Sequence, residues 1–387
     1  MTMPGAGYGS PKCFSPPGRQ RYIGSMSFAM REELAEFEWD NQRKDWKRPK
    51  VEREVLKELS ERSTLNGLAR IAYFLFVLAV PAAAAVLLGR INPWLAIPPL
   101  FVYYFFYGFV VAIAHELQHK TVFAESADGF SEVVFFLVQI VVWNSPTYAR
   151  VSHKLHHRYT MVRGIDPETD WPEVITTKWL RGYFLNRVLR ILLVGVIWDT
   201  WRLVRMQVVR IAGVKDRMMR EQCTDREITA IRIESAAILL THVAVAAAAM
   251  IFHAWALLAL VTVAWQIGSA FEELWHATKH IGRPYNVNDH RLNTRSIHVS
   301  GFIKMIFWGL DDHVDHHLYP VVPSRNLPKL HRILAKDLPD PDNIFGCWAE
   351  MWEITKEKDR DPRREFVSVG DRVMARGGTE ERSAEAL

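Results

Sequence analysis

Apolar and polar residues alternate in long blocks along this chain. The first long apolar run begins near Leu68, and Leu68–Leu88 is apolar apart from Arg70. About 20 such residues suffice to cross a bilayer as a helix. Gly89-Arg90-Ile91-Asn92-Pro93 reads as a turn, and Trp94–Ala114 is a second run with an aromatic cluster from Phe101 to Tyr107. So short a connection makes the two runs a helical hairpin. A second hairpin is predicted from Ile233–Phe252 and Ala254–Ser269, joined around His253. Phe130–Trp143 is apolar but short, and is predicted to be re-entrant, interfacial or buried against other helices. The segment from Leu180 to Arg232 mixes apolar runs such as Ile191–Trp198 with many arginines, as one or two interfacial helices would.

The intervening polar blocks divide the chain into four parts. Residues 1–27 are rich in Gly, Pro and Ser, show no signal peptide and predict a flexible tail. Residues 28–66 are charged, carry Trp39 and Trp46, and suit an amphipathic helix at a membrane surface as well as a solvated one. Residues 67–345 form the expected membrane catalytic domain. Residues 346–387 form a charged tail, expected to be partly disordered.

Composition sharpens this picture. Apolar residues make up 49% of the chain, yet the mean hydropathy is only −0.04. The two kinds of residue are therefore segregated along the sequence, as in a membrane protein with charged extramembrane segments. A net charge of +5, without basic residues interleaved with aromatics on a docking element, does not point to nucleic acid. Cys13, Cys223 and Cys347 are far apart and make no Cys-x-x-Cys, which excludes a disulfide framework or a fused iron–sulfur cluster.

The chemistry is carried by histidine. His313, His316 and His317 follow the spacing His-x-x-His-His, and His153, His156 and His157 repeat it. His115 pairs with His119 and His276 with His280, each at i, i+4. On a helix these spacings place the rings on one face. Ten of the 15 histidines fall in these four clusters, more than one metal ion needs and enough for two. Imidazole suits zinc, iron, copper and nickel alike, so ligand type does not name the metal.

Topology gives an independent expectation. With the basic N-terminal segment cytosolic, the first hairpin leaves and returns, placing His115 and His119 on the cytosolic side. With no single crossing between the hairpins, the second returns His276 and His280 to the same side. All four clusters then meet at one membrane face, unless Phe130–Trp143 or Ile191–Trp198 crosses once. The predicted fold is an all-α integral membrane protein of two transmembrane hairpins, about four spans, with a cytosolic helical cap holding a His-rich di-metal site.

Two readings of the site compete with a lipid oxidoreductase. His115-Glu116-Leu117-Gln118-His119 matches the His-Glu-x-x-His of zinc proteases, but a protease needs neither His-x-x-His-His box. A metal transporter would place its ligands near the bilayer midplane, whereas these clusters follow the ends of the runs.

The boxes, their order, the two hairpins, Asn293-Thr-Arg-Ser296, and His313-x-x-His-His-Leu-Tyr-Pro resemble the integral-membrane fatty acid desaturase superfamily over roughly Leu68 to His331. Val322-Pro-Ser-Arg-Asn-Leu-Pro-Lys-Leu-His331 is similar to that family's ending. The resemblance implies a non-haem di-iron oxidoreductase that uses O2 and two electrons on an acyl-lipid or acyl-CoA chain. It implies iron ligation by His115, His119, His153, His156, His157, His280, His313, His316 and His317. Relatives often carry Asn at the position of His276, so His276 is expected as a ligand from its i, i+4 spacing, or else as a donor behind the ligands. His115-Glu-Leu-x-His-Lys120 also resembles the first box of membrane alkane hydroxylases, which insert oxygen. Desaturation is the first reading; hydroxylation of an alkyl, acyl or terpenoid chain is the alternative.

Metal-bound imidazoles normally donate their other N–H to a carboxylate or carbonyl. Glu116, Asp166, Asp170, Glu272, Asp311, Asp312 and Asp315 are the candidates for that supporting role, each equally suited to surface or capping duty. His242 and His253 read as packing or interface residues, and His290, His298 and His331 as outer groups without an assigned role. No electron-carrier segment is evident, so a separate ferredoxin, rubredoxin or cytochrome b5 type donor is expected. The expected location is a bacterial inner membrane, with the active site and both termini cytosolic.

Overall fold

Two features of the apolar runs dictate the architecture: most are long enough to cross a bilayer, and they are joined in pairs by very short turns. In the computed structural model, residues 46–362 are described, positions 173 and 193 apart. The expectations for residues 1–45, including the N-terminal tail and Trp39, and for residues 363–387 lie outside the described residues. Helix α1 spans Arg53–Leu59. Helix α2, Thr64–Ile91, starts at Ser63, whose side chain accepts from the Asn66 amide, and its 28 residues are about 42 Å long. Asn92 ends it and caps a short 3-10 turn, Pro93–Ala96. The return arm is α3, Ile97–Gly108, continued after one residue by α4, Val110–Gln118.

Helix α5, Asp128–Val141, and α6, Pro146–Arg158, are bent against each other by 96°. Glu234 accepts from the Thr147 amide at 3.0 Å and its hydroxyl at 2.7 Å, and also holds Ser145, fixing the start of α6. Helices α7, Thr177–Ile191, and α8, Val196–Ile211, carry the arginine-rich segment, and α9 is Arg217–Gln222. The turn between α7 and α8 exposes Leu189, Leu192, Ile197, Trp198 and Trp201. Beneath it Arg190 is buried against Asp199, Glu273 and Ser269. An amphipathic face over a satisfied ionic core is what an interfacial pair of helices requires.

Helix α10, Asp225–Ile251, opens with a capping box between Thr224 and Glu227. A π turn at Leu258–Thr262 then leads into α11, Ala264–His280. Short helices follow: α12, His290–Asn293; α13, Gly301–Phe307; α14, His313–Leu318; and α15, Leu327–Leu334. Helix α16, Ile344–Arg360, runs across the boundary drawn at residue 346, with Cys347, Met351 and Ile354 buried.

Among the described residues the fold is all helical, with two isolated β-bridges. Three helices are long and apolar enough to cross a membrane: Thr64–Ile91, Pro93–Gln118 and Asp225–Ile251; the bent pair α5–α6 would make a fourth. The expected span Ala254–Ser269 is broken by the π turn, so the second hairpin's return arm is the π turn plus the 17 residues of α11. Residues 47–362 belong to one compact unit. Helix α3 packs on both α2 and α11, and α7 and α16 cover the other side of α11. The outward faces of α2 and α10 are apolar, with Leu75, Phe76, Leu87, Leu240 and Ile251 exposed. The polar groups are inside, the reverse of a water-soluble bundle.

His242 illustrates the inversion. It is buried, stacks on Trp143 at 3.8 Å, and contacts the Ile140 carbonyl (3.1 Å) and Thr262 hydroxyl (3.3 Å). It locks the tip of the α5–α6 bend, in keeping with a packing residue, while His253 is exposed at the end of α10.

Candidate metal centre

Helices α4, α6, α11 and α14 bring nine histidines to one place in two groups. In the first, ring nitrogens of His115, His119, His153, His157 and His316 all lie within 4.8 Å of one another. In the second, those of His156, His280, His313 and His317 do the same. Each His-x-x-His-His box is split between the groups. Helix α6 gives His153 and His157 to the first and His156 to the second; α14 gives His316 to the first and His313 and His317 to the second. The split follows from helix geometry, since i and i+4 are about 40° apart while i+3 and i+4 are about 100° apart.

The inward nitrogens are spaced as ligands of a common cation would be. The Nε2–Nε2 separations are 2.8 Å for His119–His153, 3.1 Å for His153–His157 and 3.1 Å for His157–His316. In the second group they are 3.1 Å for His280–His313 and 3.2 Å for His313–His317. Ligands about 2.1 Å from a metal and at right angles to each other sit roughly 3 Å apart. Hydrogen bonding among the rings fits less well. A ring nitrogen carries one proton or one lone pair, so His153 and His157 would each have to share theirs between two neighbours. Both ring nitrogens of His115 are buried with no hydrogen-bond partner among the described residues. The donor set fits metal ions.

The outward nitrogens explain why the inner ones are free to bind. His156 Nδ1 faces Asp166 at 2.9 Å, and His153 Nδ1 faces Glu168 at 3.2 Å. His280 Nδ1 meets the Asn293 carbonyl at 3.1 Å, and His317 Nδ1 meets the Thr160 hydroxyl at 3.2 Å. An Nδ1–H donated outward leaves the Nε2 lone pair pointing in. Asp166 is itself held by the Met161 amide (2.9 Å), the Glu168 amide (3.0 Å) and the Thr169 hydroxyl (2.8 Å). Burial, then neighbouring charges, holds His119, His313, His316 and His317 well below the usual imidazole range. They are therefore neutral, the form that binds metal.

The remaining expected residues fall in other places. His276 belongs to neither group; its Nδ1 is 3.4 Å from Glu272 and 3.4 Å from the Lys279 ammonium. Glu116 is buried behind His115, 3.7 Å from its Nδ1 and 4.0 Å from His316 Nδ1. Asp311 and Asp312 pair with Lys304 at 2.7 and 2.8 Å, and burial, reinforced by Asp312, pushes the Asp311 carboxyl up to about 6. Asp315 accepts from His331 at 3.0 Å, while Asp170 is exposed. His290 lies with its ring 5.0 Å from His317, and His298 is exposed.

Glu168, Thr160 and Lys279 escaped the sequence reading. Glu168 sits between the two acidic residues nominated from the same turn, and Thr160 lies one helical turn past His157. Spacing alone does not say which members of a turn point inward. Lys279 is buried; a lysine beside a histidine box gives no sign in sequence of being interior.

Fold and site together define a protein that is helical over its described residues, with bilayer-length helices and two adjacent histidine groups that could each hold a metal ion. The sequence model of the fatty acid desaturase family matches residues 92–346, well over half of the chain and including all nine grouped histidines. The chain belongs to that family, which implies oxidoreductase chemistry on a lipid substrate at a membrane. No match is found among curated proteins.

Proposed function

We propose that the protein is a membrane-bound, O2-dependent non-haem di-iron desaturase of fatty acyl chains. The observation that carries this reading is the division of each His-x-x-His-His box between two adjacent nitrogen clusters. A single-metal enzyme has no use for such sharing. Two iron ions held by these nine histidines would supply the activation of O2 needed to attack an unactivated methylene. In balance, two adjacent methylenes, O2, two electrons and two protons give one double bond and two waters.

The chain's own groups then have definable tasks. Glu168, Asp166, Thr160 and the Asn293 carbonyl aim the imidazoles, and the buried setting of the rings excludes water. His276 is the tenth proposed ligand, with Glu272 and Lys279 at its Nδ1 setting its orientation. The catalytic unit is taken as residues 67–345, with the site on the cytosolic side of a bacterial inner membrane. A separate ferredoxin, rubredoxin or cytochrome b5 type protein delivers the electrons. The protease alternative is disfavoured because Glu116 accepts from the Ser324 amide (3.1 Å) and the Thr121 hydroxyl (3.2 Å) behind the ligands, facing away from the space between the inward ring nitrogens.

The test is lipid mass spectrometry of a desaturase-deficient host expressing the protein with a competent electron donor. A new acyl chain lighter by two hydrogens is expected. A chain heavier by one oxygen atom would replace the desaturase by the hydroxylase suggested by His115-Glu-Leu-x-His-Lys120. No lipid change, with iron bound, would sink the common-lipid reading.

A narrower prediction concerns ligand support. Glu168→Gln keeps the size of the side chain but removes the charge that His153 faces. Iron affinity is expected to fall about 10–100-fold, the usual cost of losing a partner behind a ligand. Equilibrium dialysis of the purified protein against graded iron would read it; unchanged affinity would show that Glu168 is a bystander.

A further inference from the structure

Arg70 is the one charge in the apolar run Leu68–Leu88 within α2, and it lies outside the residues that match the family. A charge within a bilayer-length helix is costly and is retained where it serves a specific partner. Its guanidinium lies over the Trp308 ring at 4.6 Å, and Nη1 donates to the Ser324 hydroxyl at 2.8 Å, across 254 residues of sequence. Ser324 in turn holds Glu116, donating from its amide at 3.1 Å. The other carboxylate oxygen of Glu116 faces the Nδ1 atoms of His115 and His316, at 3.7 and 4.0 Å. Arg70, Ser324 and Glu116 also line a cavity of about 10 Å³, just enough for one water. Arg70 Nε is buried without a hydrogen-bond partner among the described residues.

We propose that Arg70 is a positioning residue for one metal centre only. Through Ser324 it holds Glu116, whose other carboxylate oxygen faces the Nδ1 atoms of His115 and His316 and fixes the orientation of both rings by its charge. Both of these histidines belong to the five-histidine group, and neither belongs to the four-histidine group. The first span is thereby wired to one of the two centres, and its charge is explained without any contact to substrate. This rests on the two histidine groups being the metal sites.

The test is metal binding by purified full-length protein. Native chain is expected to hold two irons, and Arg70→Met to bind one of them about 10–100-fold more weakly. Mössbauer spectra of the loaded protein should show one iron signal altered and the other native. Arg70→Lys, which keeps a donor and a charge, should restore the second iron. Ser324→Ala removes the hydroxyl that Arg70 grips, with a smaller change of volume, while keeping the amide on Glu116; it should weaken the same iron, and decides the matter if Arg70→Met fails to fold. Phe74→Ala, one helical turn further along α2 and buried, should lower the melting temperature without singling out one iron. If the relay variants keep both irons at native affinity, or lose both in parallel, the inference is wrong. A native protein that never binds two irons would instead overturn the di-metal reading beneath it.

Discussion

Replacing His316 with alanine is expected to abolish product formation and to leave the protein with one iron instead of two. His316 is buried, and its Nε2 is 3.1 Å from that of His157 while its Nδ1 faces Glu116. Alanine removes an inward nitrogen and strips Glu116 of one of its two imidazole neighbours. Losing a ligand outright should exceed the loss from its supporting partner, so activity should fall by at least about 100-fold. His313, His316 and His317 share six residues of α14, yet only His316 serves the five-histidine group. His317→Ala should therefore remove the other iron. Iron quantitation with lipid analysis on both variants would check this. Retention of both ions by His316→Ala would break the assignment. His253→Ala, at an exposed position, is expected to match the native protein in both readouts.

The largest structural effect is expected at Gly108. Helices α3 and α11 cross there with their backbones in contact: a Cβ on Gly108 would overlap the Gly268 carbonyl. One on Gly268 would lie 2.9 Å from both the Gly108 amide nitrogen and the Tyr104 carbonyl oxygen. Small residues permit such close crossings between membrane helices. The obstacle is backbone, which cannot rotate aside as a side chain can. Gly108→Val should therefore cost about 3 kcal/mol or more. The effect should reach the metal site, because α3 leads into α4 with His115 and His119, and α11 ends at His280. Thermal unfolding in detergent, followed with iron content, would show both falling together. Gly182→Ala is the contrasting case, because nothing lies within 4 Å of an added Cβ in α7. It should be neutral or stabilising by up to about 1 kcal/mol. Equal melting temperatures for Gly108→Val and native protein would show that the crossing can relax.

Hydropathy and spacing by themselves determined much of this protein. The lengths of the apolar runs and the tight turns between them set the hairpins, because an apolar run of about 20 residues has few other folds available at a membrane. The i, i+3, i+4 spacing put the histidines of each box on one side of their helix, because helix geometry leaves no other placement. Both are local properties. Only the tertiary structure decided how the boxes are shared: His153 and His157 face one group and His156 the other, according to which helices pack beside α6. It also put the nominated carboxylates in their places. Asp166 supports a ring while Asp170 is exposed, and Asp311 and Asp312 are taken by Lys304. Glu116, adjacent to His115 in sequence, meets Ser324 and comes within reach of Arg70's charge only because α2, α4 and the segment after α14 come together. Contacts between residues more than 200 positions apart depend on packing between elements, and packing is not written in the periodicity of any one element.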